Sequence, residues 1–160
     1  MMDFNPDLDL RIEREIGAKP ETIWRCWTDP DLLAQWFAPK PFTVKDIAYD
    51  FVPGGRANLT MVLDDGTEMP LKGCVLEADP ARRLVTTDAL LGGYRPNAAP
   101  FMTAIYDLEP HGDSTLYRAT VLHGDVEARK RHEEMGFHEG WATVIRQLGD
   151  LAMTLKEKTS

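Results

Sequence analysis

Leu8, Leu10, Ile12 and Ile16 alternate with Asp9, Arg11, Glu13 and Glu15, the two-residue period of a half-buried β-strand, which also sets Arg14 on the apolar face. From Pro20 to Phe37 the period changes to three and four: Ile23 to Trp27, Trp24 to Trp27, and Leu32 or Leu33 to Trp36 or Phe37. Two start signals divide this stretch into abutting helices. Pro20 suits a first helical position, and Asp29 before Pro30 is an N-cap with proline just inside it. Alternation and β-branched or aromatic residues then mark strands over 42–51, 56–63, 67–78, 83–88, 101–109 and 114–122. Turn chemistry at Pro53-Gly54-Gly55, Asp65-Gly66, Asp79-Pro80 and Pro110-His111-Gly112-Asp113 separates several of them, so consecutive strands pair antiparallel. Beyond Gly136 a long helix shows Phe137, Trp141, Val144, Leu148, Leu151 and Leu155 on one face.

Seven antiparallel strands, two short helices after the first and one long terminal helix predict an α+β fold, a curved sheet wrapped around that helix. One connection is long. Residues 88–100 read as a loop in which Gly92-Gly93 serves as a hinge and Tyr94 as an amphipathic tip, or as a linker with no other role.

The run Pro20-x-x-Ile23-Trp24-x-x-Trp27-Thr28-Asp29-Pro30-x-x-Leu33-x-x-Trp36-Phe37 is joined by Asp50-x-x-x-Gly54-Gly55-Arg56, by Gly73-x-x-x-Glu77-x-x-Pro80-x-Arg82-Arg83-Leu84, and by Gly140-Trp141. Together these marks resemble the START-like, or SRPBCC, helix-grip superfamily of Bet v 1-type allergens and polyketide cyclases. Within it they look most like the group named after the activator of the heat-shock-protein-90 ATPase. The resemblance implies a single START-like domain over residues 1–160 and a cavity between the concave sheet and the terminal helix.

Length agrees with one domain, since 160 residues bury roughly 70% of the surface the unfolded chain exposes. Neither disulfide nor metal is needed. Cys26 and Cys74 have neither metal-site spacing nor the density of a secreted scaffold and are expected to be reduced. No basic residue precedes Arg11, no apolar leader segment opens the chain, and no 18-residue apolar run follows, so a cytoplasmic protein without membrane partners is expected. Twenty-six acidic against 18 basic residues give a formal charge of −8, which opposes nucleic-acid binding. The cluster Arg129-Lys130-Arg131-His132 meets Glu133 and Glu134 at once and reads as a solvated, ion-paired helical face.

Most catalytic signatures are absent. His132 and His138 are six apart, off the shared face that a helical zinc pair needs, and Gly136 stands where the second ligand would be, so no metal is expected. There is no Gly-x-Ser-x-Gly, and neither Gly54-Gly55 nor Gly92-Gly93 has the lysine or spacing of a phosphate loop. No cofactor is implied. The residues placed to line a cavity are Trp36, Phe37, Leu59, Met61, Phe101, Met102, Phe137 and Trp141, with Met135 at its edge. Arg14 and His123 are the polar candidates. Arg14 either holds a ligand oxygen or is paired with an acid such as Glu139, and His123 either enters the cavity or is satisfied at the end of its strand.

Three functions follow from the resemblance and this residue set. The first is binding of a small hydrophobic or aromatic molecule, as a monomer or homodimer. The second is an enzyme of the polyketide cyclase or dehydratase kind, a lyase or isomerase acting on such a molecule. The third is a co-chaperone-like regulator of a heat-shock ATPase.

Overall fold

The computed structural model describes residues 3–159. Strand β1 (Asp9–Ile16) leads into α1 (Pro20–Thr28) and α2 (Pro30–Trp36), where Pro20 and Pro30 occupy the first turns and the Asp29 carboxylate caps α2 by accepting from the Asp31 N–H. Then come β2 (Thr43–Tyr49), β3 (Ala57–Val62), β4 (Glu68–Leu71), β5 (Cys74–Asp79) and β6 (Arg83–Thr87). After a small hairpin, β7 (Leu90–Leu91) and β8 (Arg95–Pro96), the chain runs through β9 (Thr103–His111) and β10 (Ser114–Leu122). Helices α3 (Val126–Glu134) and α4 (Phe137–Thr159) complete it.

All strand pairs are antiparallel, and the sheet is built in two parts. Five strands lie in the order β1-β10-β9-β6-β5 and three in the order β2-β3-β4. The parts are tied where Arg56 bridges Cys74, with the Ala57 N–H donating to the Gly73 carbonyl and the Val75 N–H to the Gly55 carbonyl. The curved sheet against a long C-terminal helix is the helix-grip arrangement. The strand expected over 67–78 is in fact two: β4 pairs with β3 and β5 with β6, with the break at Lys72-Gly73. A side chain at Gly73 would stand 2.5 Å from the Thr87 carbonyl oxygen, so this crossing point requires glycine.

Two further points concern the 88–100 segment, expected as a loop, and the basic cluster, expected on a solvated helical face. The 88–100 stretch is a pinned hairpin. The Asp88 carboxylate accepts the N–H groups of Phe101 and Met102 at 2.7 and 3.0 Å, and the Gly93 N–H donates to the Gly54 carbonyl. The basic cluster lies on α3, a helix of its own, whose buried face is Ala128 and His132; Gly136, at φ 91°, ends that helix before α4 begins.

The core sits between the five-stranded sheet and the helices α1, α2 and α4. On α4 the buried residues are Phe137, Ile145, Leu148 and Ala152, with Trp141, Val144, Leu151 and Leu155 packed on the flanks. Among the described residues no helix is long and apolar enough to cross a membrane.

Candidate functional site

Aromatic rings fill much of the space between sheet and helices. Trp27 is the hub: its ring lies 5.0 Å from Trp36, 4.8 Å from Tyr106, 6.0 Å from Phe37 and 6.4 Å from Tyr49. Tyr106 stacks on Trp141 at 6.1 Å and 15° between planes, Trp141 meets Phe137, Phe137 meets His132, and His132 meets Phe101 at 4.9 Å. Helix spacing delivers the tryptophans, and strand alternation turns Ala104, Tyr106 and Leu108 of β9 and Tyr117, Ala119 and Val121 of β10 to the same side.

The indoles are satisfied: Trp27 Nε1–H donates to the Tyr117 hydroxyl at 3.1 Å and Trp36 Nε1–H to the Cys26 carbonyl at 3.0 Å. Two phenols differ. Tyr106 is 7% exposed, and among the described residues its hydroxyl, like that of Tyr49, has no hydrogen-bond partner. Among those residues the one side-chain polar atom both fully enclosed and without a hydrogen bond is Arg83 Nε, so the Tyr49 and Tyr106 hydroxyls border open space. Burial, then the neighbouring Tyr117 and Tyr49 phenols, hold Tyr106 well above its ordinary pKa; burial raises those of Tyr49 and Tyr117 as well. Each free phenol is paired across the sheet with a buried alanine, Tyr49 with Ala57 and Tyr106 with Ala119.

This contrast predicts opposite results for two similar substitutions. Tyr117→Phe is expected to destabilise by about 1–3 kcal/mol, because it leaves the buried Trp27 N–H without an acceptor. Tyr106→Phe is expected to change stability by less than about 1 kcal/mol, since no bond is lost. Urea denaturation measures both, and equal losses would mean that the Tyr106 hydroxyl is also a structural anchor.

At the other end of the ring chain His123 and His132 form a buried pair. His123 Nδ1 lies 2.7 Å from the Leu8 carbonyl, which only accepts, so Nδ1 is the donor and, in the neutral pair, Nε2 accepts from His132 Nδ1 at 2.9 Å. Desolvation, helped by the charge of His123, lowers the His132 pKa to about 4. Beside the pair, a pocket of about 270 Å³ is lined by Asp88, Pro100, Phe101, Met102, Leu122 and His123. A larger open trough of about 950 Å³ crosses the sheet's outer face, where Arg83 and Arg118 are already paired with Asp107 and Glu13.

The expected lining residues therefore divide. Trp36, Phe37, Phe137 and Trp141 meet in the ring chain; Phe101, Met102 and His123 meet at the small pocket. Leu59 is buried and Met61 half-buried, but both belong to the three-stranded part of the sheet and lie outside the contiguous core that holds Trp36, Phe37, Met102, Phe137 and Trp141. Arg14, expected to point inward, is exposed and donates to the Glu13 carbonyl at 2.7 Å. It stands on an edge strand, where a guanidinium reaches solvent and avoids burial without a partner. Glu139 is exposed too, and Met135 is the most exposed large apolar residue described.

Sequence reasoning passed over Trp27 as a hub and the Tyr49 and Tyr106 phenols, and it set on a solvated face a residue that is buried, His132. The last had a signal: Ala128 and His132, four apart, are the least solvated positions of a helix otherwise crowded with charge. Cys26 and Cys74 are free and buried, and burial pushes the Cys26 thiol up to about 11, which makes it a poor nucleophile. Among the described residues no cluster of three His, Cys, Asp or Glu side chains is placed to hold a metal ion.

Residues 17–152 match the family model described as Activator of Hsp90 ATPase homolog 1-like protein. Among solved structures, protein NE0264 of Nitrosomonas europaea is 41% identical, with 96% of this chain and 99% of that one covered and a TM-score of 0.93. Protein Ms6760 of Mycobacterium smegmatis is 25% identical, with 91% and 90% covered and a TM-score of 0.77. An AHSA1-like protein of Aeromonas hydrophila shares the fold at 18% identity, with 92% and 94% covered and a TM-score of 0.68. No curated protein matches the chain. The tryptophan-rich helix pair, the helix-grip sheet and the match over residues 17–152 together place this chain in the family of Activator of Hsp90 ATPase homolog 1-like proteins, within the START-like superfamily.

Proposed function

We propose that the protein binds a small apolar or aromatic molecule between the concave sheet and α4, and that it acts as a carrier rather than a catalyst. The observation that carries this reading is the pair of unpartnered phenol hydroxyls, Tyr49 and Tyr106, bordering open space inside a wall of rings. Binding sites of this type are mostly apolar, with a few placed polar groups. The pocket at Phe101 and His123 lies at the far end of the same chain of rings.

The ionisable groups support a carrier over an acid–base enzyme. General acid–base work favours a pKa near the operating pH. Here Tyr106 and Cys26 are pushed upward and His132 downward, all away from neutrality.

Tryptophan emission reports on this space directly, because Trp27 and Trp141 both contact Tyr106. Small aromatic ligands should quench or shift it with saturation. The melting temperature should rise with free ligand, by the equivalent of about 2.7 kcal/mol at a hundredfold excess over Kd. Ala119→Phe, which puts a ring at the buried position opposite Tyr106, should abolish both signals while its circular dichroism stays native. Saturation that survives in a folded Ala119→Phe protein would place the ligand elsewhere.

A further inference from the structure

Resting on the binding role proposed above, we infer that the interior selects an uncharged, planar ligand bearing a hydrogen-bond-accepting oxygen, an aryl ketone or its like, held by the Tyr106 and Tyr49 hydroxyls. The polarity of the site is one-sided. Both phenols stay protonated at neutral pH, because burial opposes their ionisation, so each offers an O–H to a ligand oxygen. The Tyr117 hydroxyl is anchored by the Trp27 indole beside them.

No cation stands ready to accept a charged ligand. The buried polar residues described are Asp9, four threonines, His123 and His132, with no lysine or arginine among them, and Arg14 reaches solvent at the sheet edge. His132 is held neutral at pH 7, and the Thr115 hydroxyl is engaged by the Ala18 carbonyl. A carboxylate brought into this interior would lose its hydration with no counter-charge in return. A neutral carbonyl loses far less and finds two donors waiting.

The walls favour a flat molecule. Tyr106 and Trp141 are nearly parallel, and Trp27 closes one side at a steep angle to Trp36 and Phe37. Ala57 and Ala119 stand opposite the two phenols, so no large side chain faces either ring across the strand pair.

Three probes of one shape separate the terms: acetophenone, ethylbenzene and benzoate, each repeated with its two-ring counterpart, 2-acetylnaphthalene, 2-ethylnaphthalene and 2-naphthoate. Titrations at pH 7 should give the ketone at least about tenfold tighter binding than the hydrocarbon, the worth of one well-made hydrogen bond, and the carboxylate the weakest. Tyr106→Phe should erase the ketone's advantage yet leave the hydrocarbon's Kd unchanged; Tyr49→Phe should reduce it. The carbonyl stretch of the bound ketone should move to lower wavenumber in the native protein and move back in Tyr106→Phe. Equal binding of ketone and hydrocarbon, tightest binding of the carboxylate, or a ketone advantage that survives in the double phenylalanine variant would overturn the inference while leaving the binding role intact. Failure of all six probes to bind would overturn the binding role itself and this inference with it.

Discussion

Trp27→Ala is expected to cost about 3–5 kcal/mol of folding stability, the range for truncating a buried large aromatic residue. The indole is 2% exposed and contacts four aromatic neighbours, from α2 (Trp36), the turn after it (Phe37), β2 (Tyr49) and β9 (Tyr106). Its N–H also anchors the Tyr117 hydroxyl. The substitution therefore opens a cavity that several elements share, and a rigid sheet can close over it only in part. Trp24 provides the internal control. It lies on the same helix, is partly exposed, and makes one edge contact, with Phe51 at 6.1 Å. Trp24→Ala should lose less than half as much in the same urea titration. Comparable losses at the two positions would show that helix formation, rather than the ring cluster, is what the tryptophans supply.

The features legible in the sequence are those that local chemistry specifies. The α1–α2 pair is written in Pro20, Asp29 and Pro30, and the structure shows the Asp29 cap in place. Strand β1 and the pair β9–β10 follow from alternation over eight or nine residues, long enough for the period to declare itself. What was not legible depends on partners distant in the chain. Residues on both sides of Lys72-Gly73 are extended, and only the Thr87 carbonyl, brought alongside by β6, reveals why the strand breaks there. The hairpin within 88–100 has two-residue strands, too short to show a period, and is fixed by the Asp88 carboxylate instead. Arg14 obeyed the alternation of β1, but alternation does not say that β1 is an edge. The candidate site suffered most from the same limit. Aromatic residues could be placed on faces, yet which phenols would find partners depended on Trp27 choosing Tyr117 over Tyr106.

Stability is also expected to fall as the pH drops from about 6.5 towards 4, because of His132. In the unfolded chain its imidazole takes up a proton near pH 6.5; in the folded protein it does so only near 4. Between these values the unfolded state binds more protons, so acid favours unfolding, and the loss levels off below the folded pKa. The full gap corresponds to about 3 kcal/mol at 1.36 kcal/mol per unit. The groups that face this ring are His123 from the end of β10, Phe101, and Phe137 and Trp141 of α4, with Arg131 over the outer side of Phe101. None is a carboxylate that would welcome the charge, and the ring opposite, His123, repels it. The acid-sensitive carboxylates act in a different window. Asp50, bound by the Arg56 guanidinium, and Asp65, bound by Thr67, have pKa values held below the ordinary 3.8, so their contribution is lost only at lower pH. The measurement is a set of urea titrations between pH 7 and 4 on the native protein and on His132→Phe, whose ring keeps the aromatic contacts but cannot take a proton. The variant will start less stable, because His123 Nε2 loses its donor. Its profile should nevertheless be flatter by up to about 3 kcal/mol across that interval. Parallel profiles for the two proteins would mean that His132 titrates in the folded state much as it does in the unfolded chain, and that the imidazole pair is open to water.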